Sequence, residues 1–204
     1  MNKPSLIVIL MIFSIFILSC DTKTRNDSKT IESETETGSF ENEKADIDTT
    51  LIFQASLEGK IQIVQNALNK GFDPNTIDEN KRTALMLAAY NGNTEIVKLL
   101  IHQGANVNSS DEINRTALMY ASTGPFVNTV LTLLEAGAEP NLIEKEENWT
   151  AAMMASAEGQ LEVLKTLVTY GADLDMVDID GESSLDFANS NGHSAVAQYI
   201  KSKK

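Results

Sequence analysis

The chain has 204 residues, with 16 basic against 29 acidic side chains and a formal net charge of −13 at pH 7. So acidic a surface repels phosphate backbones and anionic headgroups, which removes nucleic-acid binding and a polybasic membrane patch from the expected functions. The single cysteine cannot close an internal disulfide, so stability must come from packing, and the length allows one domain beyond a leader and a tether.

The first predicted element is a leader. Residues Leu6 to Leu18 are apolar apart from Ser14 and follow a short start carrying Lys3, the order of a secretory signal. The run is shorter than the roughly 20 residues that span a bilayer comfortably. It ends Ile17-Leu18-Ser19-Cys20, which resembles the lipobox of bacterial lipoproteins. Leu18 departs from that pattern, where a small residue is commoner. The resemblance implies removal of residues 1–19, acylation of Cys20, and an envelope location outside the cytoplasm, at a periplasmic face or the cell surface. Asp21 resembles an inner-membrane retention signal of enteric bacteria. An uncleaved signal anchor, and ordinary cleavage beside an incidental cysteine, are the alternatives. Cleavage would take away only Lys3 among charged groups and leave the chain one unit more negative.

From Asp21 to about Ala45 the chain is polar, with Ile31 and Phe40 its only large apolar residues. Such a segment cannot bury enough apolar surface to offset its chain entropy, so 20–45 is predicted to be a lipidated cysteine and a disordered tether. Its length reaches about 80 Å fully stretched and about 25–30 Å on average as a coil.

Beyond the tether, 46–204 repeats. Thr50, Thr83, Thr116, Thr150 and Ser183 recur at intervals of 33 or 34 residues, and Ala55, Ala88, Ala121, Ala155 and Ala188 keep the same phase. Gly59, Gly92, Gly159 and Gly192 form a third column, and Gly71, Gly104, Gly137 and Gly171 a fourth. A shared period of this length points to a solenoid. Each unit is predicted as two short helices and a loop. Thr83, Thr116 and Thr150 are placed to cap the first helix. Ile96, Val97, Leu100 and Ile101 give the second an apolar stripe, and Gly104 suits a left-handed helix end. The units begin near 46, 79, 112, 146 and 179.

Thr83-Ala84-Leu85-Met86-Leu87-Ala88-Ala89 with Gly92, followed by Ile96-Val97-Lys98-Leu99-Leu100 and Gly104-Ala105-Asn106-Val107-Asn108, resembles an ankyrin repeat. The resemblance implies an all-α solenoid of about five helix-turn-helix units joined by hairpin-like loops. Several positions depart from the pattern. Ala84, Ala117 and Ala151 replace the usual proline, and Met86, Met119 and Met153 the usual histidine; those methionines are expected to fill core space. Gly124-Pro125 should alter the turn in the third unit. An extra residue among Glu144, Lys145, Glu146, Glu147 and Asn148 should make the fourth loop bulge. Asp186, Ser190, Asn191, His193, Ser194 and Gln198 should give the last unit a polar outer face.

No catalytic set emerges. His102 and His193 lie in different units without paired carboxylates at helical spacing, and no phosphate loop or nucleophile elbow appears. The acidic run Asp173, Asp175, Asp178, Asp180-Gly181 fails as a calcium loop. Setting Gly181 at the sixth position puts Met176 and Phe187 where ligands are required. No metal, cofactor or small-molecule substrate is therefore expected. What remains is a surface. The family resemblance implies that Glu79, Asn80, Arg82, Tyr90, Asn91, Ile113, Arg115, Thr123, Glu147, Trp149 and Glu158 project from a concave face. Trp149 and Tyr90 suit interface anchors, and Arg82 and Arg115 can fork onto a carboxylate. The alternative is that Trp149 packs on its own hairpin and the arginines merely pair with nearby acids, each having Glu79 or Glu112 close by in sequence. The expected function is a membrane-tethered module that binds a protein bearing a basic patch. The alternatives are an immunity or inhibitor lipoprotein that blocks an exported enzyme or toxin, and a structural surface lipoprotein.

Overall fold

In a computed structural model of the protein, the structure describes residues 48–203. The leader, Cys20 and the tether lie outside the described residues. Among the described residues ten α-helices follow one another: α1 Thr49–Glu58, α2 Ile61–Asn69, α3 Ala84–Tyr90, α4 Thr94–His102, α5 Ala117–Ser122, α6 Val127–Glu135, α7 Ala151–Ala157, α8 Leu161–Thr169, α9 Ser184–Ser190 and α10 Ser194–Lys201. Odd helices pack on odd, even on even, and each odd helix on the even helix that follows it. Five antiparallel pairs thus form a two-layered all-α solenoid.

Sequence periodicity builds both layers. In the odd helices Ala55, Ala88, Ala121, Ala155 and Ala188 are all buried. A methyl group at each contact lets neighbouring backbones approach closely. In the even helices Val64, Val97, Val130 and Leu164 form one buried column, and Leu100, Leu133, Leu167 and Ile200 a second. Each large aliphatic side chain so buried contributes about 1.5–3 kcal/mol relative to exposure. The columns merge into one continuous core.

Helix starts follow the threonine column. The Oγ1 atoms of Thr83, Thr116 and Thr150 accept from the backbone N–H of Met86, Met119 and Met153 at 3.3, 3.4 and 3.2 Å. The methionines are buried, as expected, and two do more than fill space. The Sδ atoms of Met86 and Met153 accept from the N–H of Thr83 and Thr150 at 3.5 and 3.4 Å, closing a weak reciprocal cap. The first unit differs: α1 starts before Thr50, and Asp48 caps it through Leu51 N–H at 3.1 Å.

In the third unit α5 stops at Ser122, and Gly124 lacks the left-handed backbone of Gly92 and Gly159. Phe126 fills the space beside both Gly92 and Gly124. At the equivalent position, Asn93, Gln160 and His193 instead bond a carbonyl of the preceding unit, at Leu57, Thr123 and Ala157. His193 is therefore a half-buried bridge to the fourth unit rather than part of an exposed polar face. The other five polar residues expected on that face are exposed.

Candidate functional site

Each unit after the first opens with a hairpin, marked in three of them by an antiparallel bridge: Ile77 with Thr83, Ser110 with Thr116, and Val177 with Ser183. A carboxylate follows the first bridge residue and clips the turn from inside. Asp78 Oδ1 accepts from the N–H of Asn80 and Arg82 at 2.9 and 2.8 Å, and its Oδ2 accepts from Arg82 Nε at 2.8 Å. Asp178 accepts from the N–H of Asp180 and Glu182 at 3.0 and 2.8 Å. This inward commitment is the ordinary loop role expected for Asp178.

The hairpin tips need the clip. Lys81, Asn114 and Asn148 sit at φ 59°, 65° and 60°, a region open to glycine but costly for a residue with a Cβ. Only the last hairpin supplies glycine there, Gly181 at φ 80°. In the fourth unit the extra residue lengthens the turn, and Glu144 replaces the usual aspartate. Its longer arm reaches the N–H of Glu146, Glu147 and Trp149 at 2.8, 2.7 and 3.0 Å.

The clip is most elaborate at Asp111, which is buried. Its Oδ1 accepts from the N–H of Ile113 and Arg115 at 3.0 and 2.8 Å. Its Oδ2 accepts from Arg115 Nε at 2.9 Å and from the Tyr120 hydroxyl at 2.7 Å. The Arg115 guanidinium lies 4.8 Å from the centre of the Tyr120 ring, within cation–π reach, and Tyr90 meets that ring edge-on at 5.9 Å. Burial pushes the pKa of the Tyr120 hydroxyl up, and its bond to Asp111 adds to the rise.

Backbone hydrogen bonds then join hairpin to hairpin. Glu112 N–H donates to Asn80 O at 3.1 Å, Lys145 N–H to Ile113 O at 2.8 Å, and Ile179 N–H to Glu147 O at 3.1 Å. Four hairpins therefore make one unbroken edge.

The residues singled out from the sequence divide between this edge and the adjoining ends of the odd helices. Glu79, Asn80, Asn91 and Glu158 are exposed; Tyr90, Ile113, Thr123, Glu147 and Trp149 are half-buried. Asn91 is tied back by its Nδ2, which donates to Leu57 O at 2.8 Å. Thr123 Oγ1 donates to Tyr120 O at 2.9 Å. Trp149 packs on Phe187 of the next unit, ring centres 4.5 Å apart. Arg82 and Arg115 pair with nearby acids, Asp78 and Asp111. Much of each fork therefore holds its own hairpin.

Sequence reasoning missed the edge's most exposed apolar residues. Ile77 is 53% exposed, Ile143 42%, Val177 51% and Ile179 57%. Ile77, Ile143 and Val177 occupy the same place in three hairpins, one residue before the clipping carboxylate, and Ser110 takes that place in the fourth. Their shared period was the available signal; a lone aliphatic in a polar loop reads as core.

The family model for ankyrin repeats (three copies) matches residues 52–144 and again 124–204, most of the chain. The chain belongs to the ankyrin-repeat family. Two ankyrin repeat domain-containing proteins 1 are also similar. That of Xenopus laevis is 50% identical over 40 residues, covering 20% of this chain and 13% of the relative. That of Xenopus tropicalis is 49% identical over 39 residues, covering 19% and 12%. The similarity to these relatives is thus little more than one ankyrin unit long. Ankyrin repeats are generally protein-interaction modules.

Proposed function

We propose that the chain is a membrane-tethered ankyrin module that grips one protein partner along its hairpin edge. One observation carries this reading: aliphatic side chains stand exposed at equivalent places on three of the four hairpins, while the aliphatic columns of the helical layers are buried. Apolar groups left in register on an otherwise polar edge are what an interface core needs. The rigid backbone ribbon beneath them lowers the ordering cost of binding.

Tethering is supported by the apolar run that ends at Cys20. Among the described residues no helix is long and apolar enough to cross a membrane. A lipid on Cys20 would thus hold the module at the surface and raise its effective concentration towards a partner there.

The test is photocrosslinking in cells from a photoreactive amino acid at Ile143, with a control at Lys98 on the helical face. A protein captured from Ile143 and not from Lys98 supports the reading. Equal or no capture from the two positions rejects it. Adding the captured protein's activity assay separates inhibition, as in an immunity protein, from scaffolding.

A further inference from the structure

The two halves of the hairpin edge differ in charge. The residue just before each helix-capping threonine or serine is Arg82, Arg115, Trp149 and Glu182 in turn. In the first two hairpins that arginine pairs with the carboxylate that clips the turn, Asp78 at 2.7 Å and Asp111 at 2.9 Å. In the last two the arginine is gone, and Glu144 and Asp178 accept from backbone N–H groups instead. Those dipoles stabilise a carboxylate without cancelling its charge, so the charge still acts at the surface. Hairpin 77–83 carries two acids and two bases, and 110–116 two acids and one base. Hairpin 143–150 carries three acids and one base, and 177–183 three acids and none. Net charge thus steps from 0 to −1, −2 and −3 along the edge.

The exposed aliphatics are distributed the same way. Ile143, Val177 and Ile179 belong to the last two hairpins, and Ile77 to the first two. Val177 and Ile179 stand exposed on either side of the buried Asp178. The Ile179 N–H donates to Glu147 O at 3.1 Å, which fixes the fourth hairpin onto the third. Exposed Glu146, Asp180 and Glu182 belong to the same two hairpins, with Lys145 their one base. Charge decides what can cover these aliphatics. A second copy presenting the same two hairpins would set like charges against each other, and anionic headgroups are repelled for the same reason. Lysine or arginine around an aliphatic centre complements both the acids and the apolar groups.

Resting on the binding role proposed above, we infer that the protein partner docks on hairpins 143–150 and 177–183 through a cationic patch with an aliphatic centre. The partner's aliphatic groups lie against Ile143, Val177 and Ile179, and its lysines or arginines face Glu146, Asp180 and Glu182. Hairpins 77–83 and 110–116, whose clips are neutralised from within, contribute little to the grip.

The described core lies wholly within residues 45–204, so this span, labelled with nitrogen-15, serves for titration by nuclear magnetic resonance. The probe is a capped synthetic peptide with two leucines flanked on each side by two lysines. One comparator replaces the leucines by serine, and the other replaces the lysines by glutamate. The probe should shift amides of hairpins 143–150 and 177–183 and bind about fivefold or more tighter than either comparator. Asp180→Asn/Glu182→Gln and Val177→Ser/Ile179→Ser should each weaken it about threefold or more. Ile77→Ser and Glu79→Gln/Glu112→Gln should leave it within about twofold of the parent. Circular-dichroism melts establish that the variants are folded, and the shift map of the parent stands without them. No binding of the probe, shifts spread over all four hairpins, a comparator that binds as well, or equal losses from variants of the two halves overturns the inference. Concentration-dependent shifts at these hairpins without a probe would assign them to a second copy and overturn it too. Capture of a protein from Ile143 in cells would survive each of these failures, so the two proposals fall separately.

Discussion

Replacing Tyr120 by phenylalanine removes one oxygen from the most elaborate clip and leaves the ring's packing in place. Asp111 then keeps two backbone N–H groups and Arg115 Nε but loses the 2.7 Å bond from the hydroxyl. A hydrogen bond to a charged group contributes about 1.5–3 kcal/mol, and a carboxylate as buried as this one cannot recover it from water. The variant should be destabilised by about that much at pH 7, a fall in Tm of about 2–4 °C for each kcal/mol in a domain of this size. The difference should also depend on pH. The native hydroxyl pKa is raised above its unfolded value of about 10, so above pH 10 the unfolded chain has released a proton that the native state still holds. Native stability therefore falls as pH rises from there, by about 1.4 kcal/mol per unit. The variant lacks this contribution, so the gap between the two proteins should narrow by about 1 kcal/mol between pH 10 and 11. Urea unfolding followed by circular dichroism at pH 7, 9, 10 and 11 reads both effects, and subtracting the variant cancels the lysines and remaining tyrosines. A variant as stable as the parent at pH 7, or a gap unchanged at pH 11, would contradict the assigned network.

Three further outcomes are expected. Gly92→Ala should cost distinctly more than Gly104→Ala. Both glycines are left-handed, but a Cβ at Gly92 would run into the Phe126 ring, whereas at Gly104 nothing lies within 4 Å. Equal losses of about 1 kcal/mol in urea melts would show that Phe126 moves aside freely. Asn108→Ala should cost about 1–2 kcal/mol, because its Nδ2 donates to Gly137 O at 3.1 Å and its Oδ1 accepts from Glu139 N–H at 3.0 Å; Asn108→Asp should be no better, since it keeps the acceptor and loses the donor. Cys20→Ser should abolish incorporation of an alkyne-tagged fatty acid and release the protein from the membrane fraction, and persistent labelling would rule out Cys20 as the acylated residue.

How far the sequence discloses this molecule depends on whether a residue's role is periodic and chemically singular. The threonine, alanine and glycine columns are both, and they give the helix order, the caps and the close odd-helix contacts. The carboxylates Asp78, Asp111, Glu144 and Asp178 keep the period too, but acids in a loop read as solvated. Only the folded hairpin turns them inward onto backbone N–H groups. Asn75, Asn108 and Asn141 form a comparable ladder, bonding Gly104 O, Gly137 O and Gly171 O in the following units at 3.0, 3.1 and 3.0 Å. Nothing in their residue type separates that from an ordinary loop asparagine. At Trp149 and the two arginines the sequence names plausible anchors, but their partners are set by which side chains the stacked units bring near. Phe187 is such a neighbour of Trp149, whereas Asp78 and Asp111 lie in the arginines' own hairpins. The exposed aliphatics stayed hidden for the opposite reason, because hydrophobicity alone predicts burial and only the three-dimensional edge leaves them bare.

That the hairpin edge is an interface rather than a bare rim comes down to one comparison. Affinity capture from cells is run in parallel with the parent protein and with the folded Ile77→Ser/Ile143→Ser/Val177→Ser variant, at matched expression. The protein cross-linked from Ile143 should be retained by the parent and lost from the variant, with both melting at the same temperature. Retention by the variant at the parent's level would mean that the grip lies elsewhere on the solenoid.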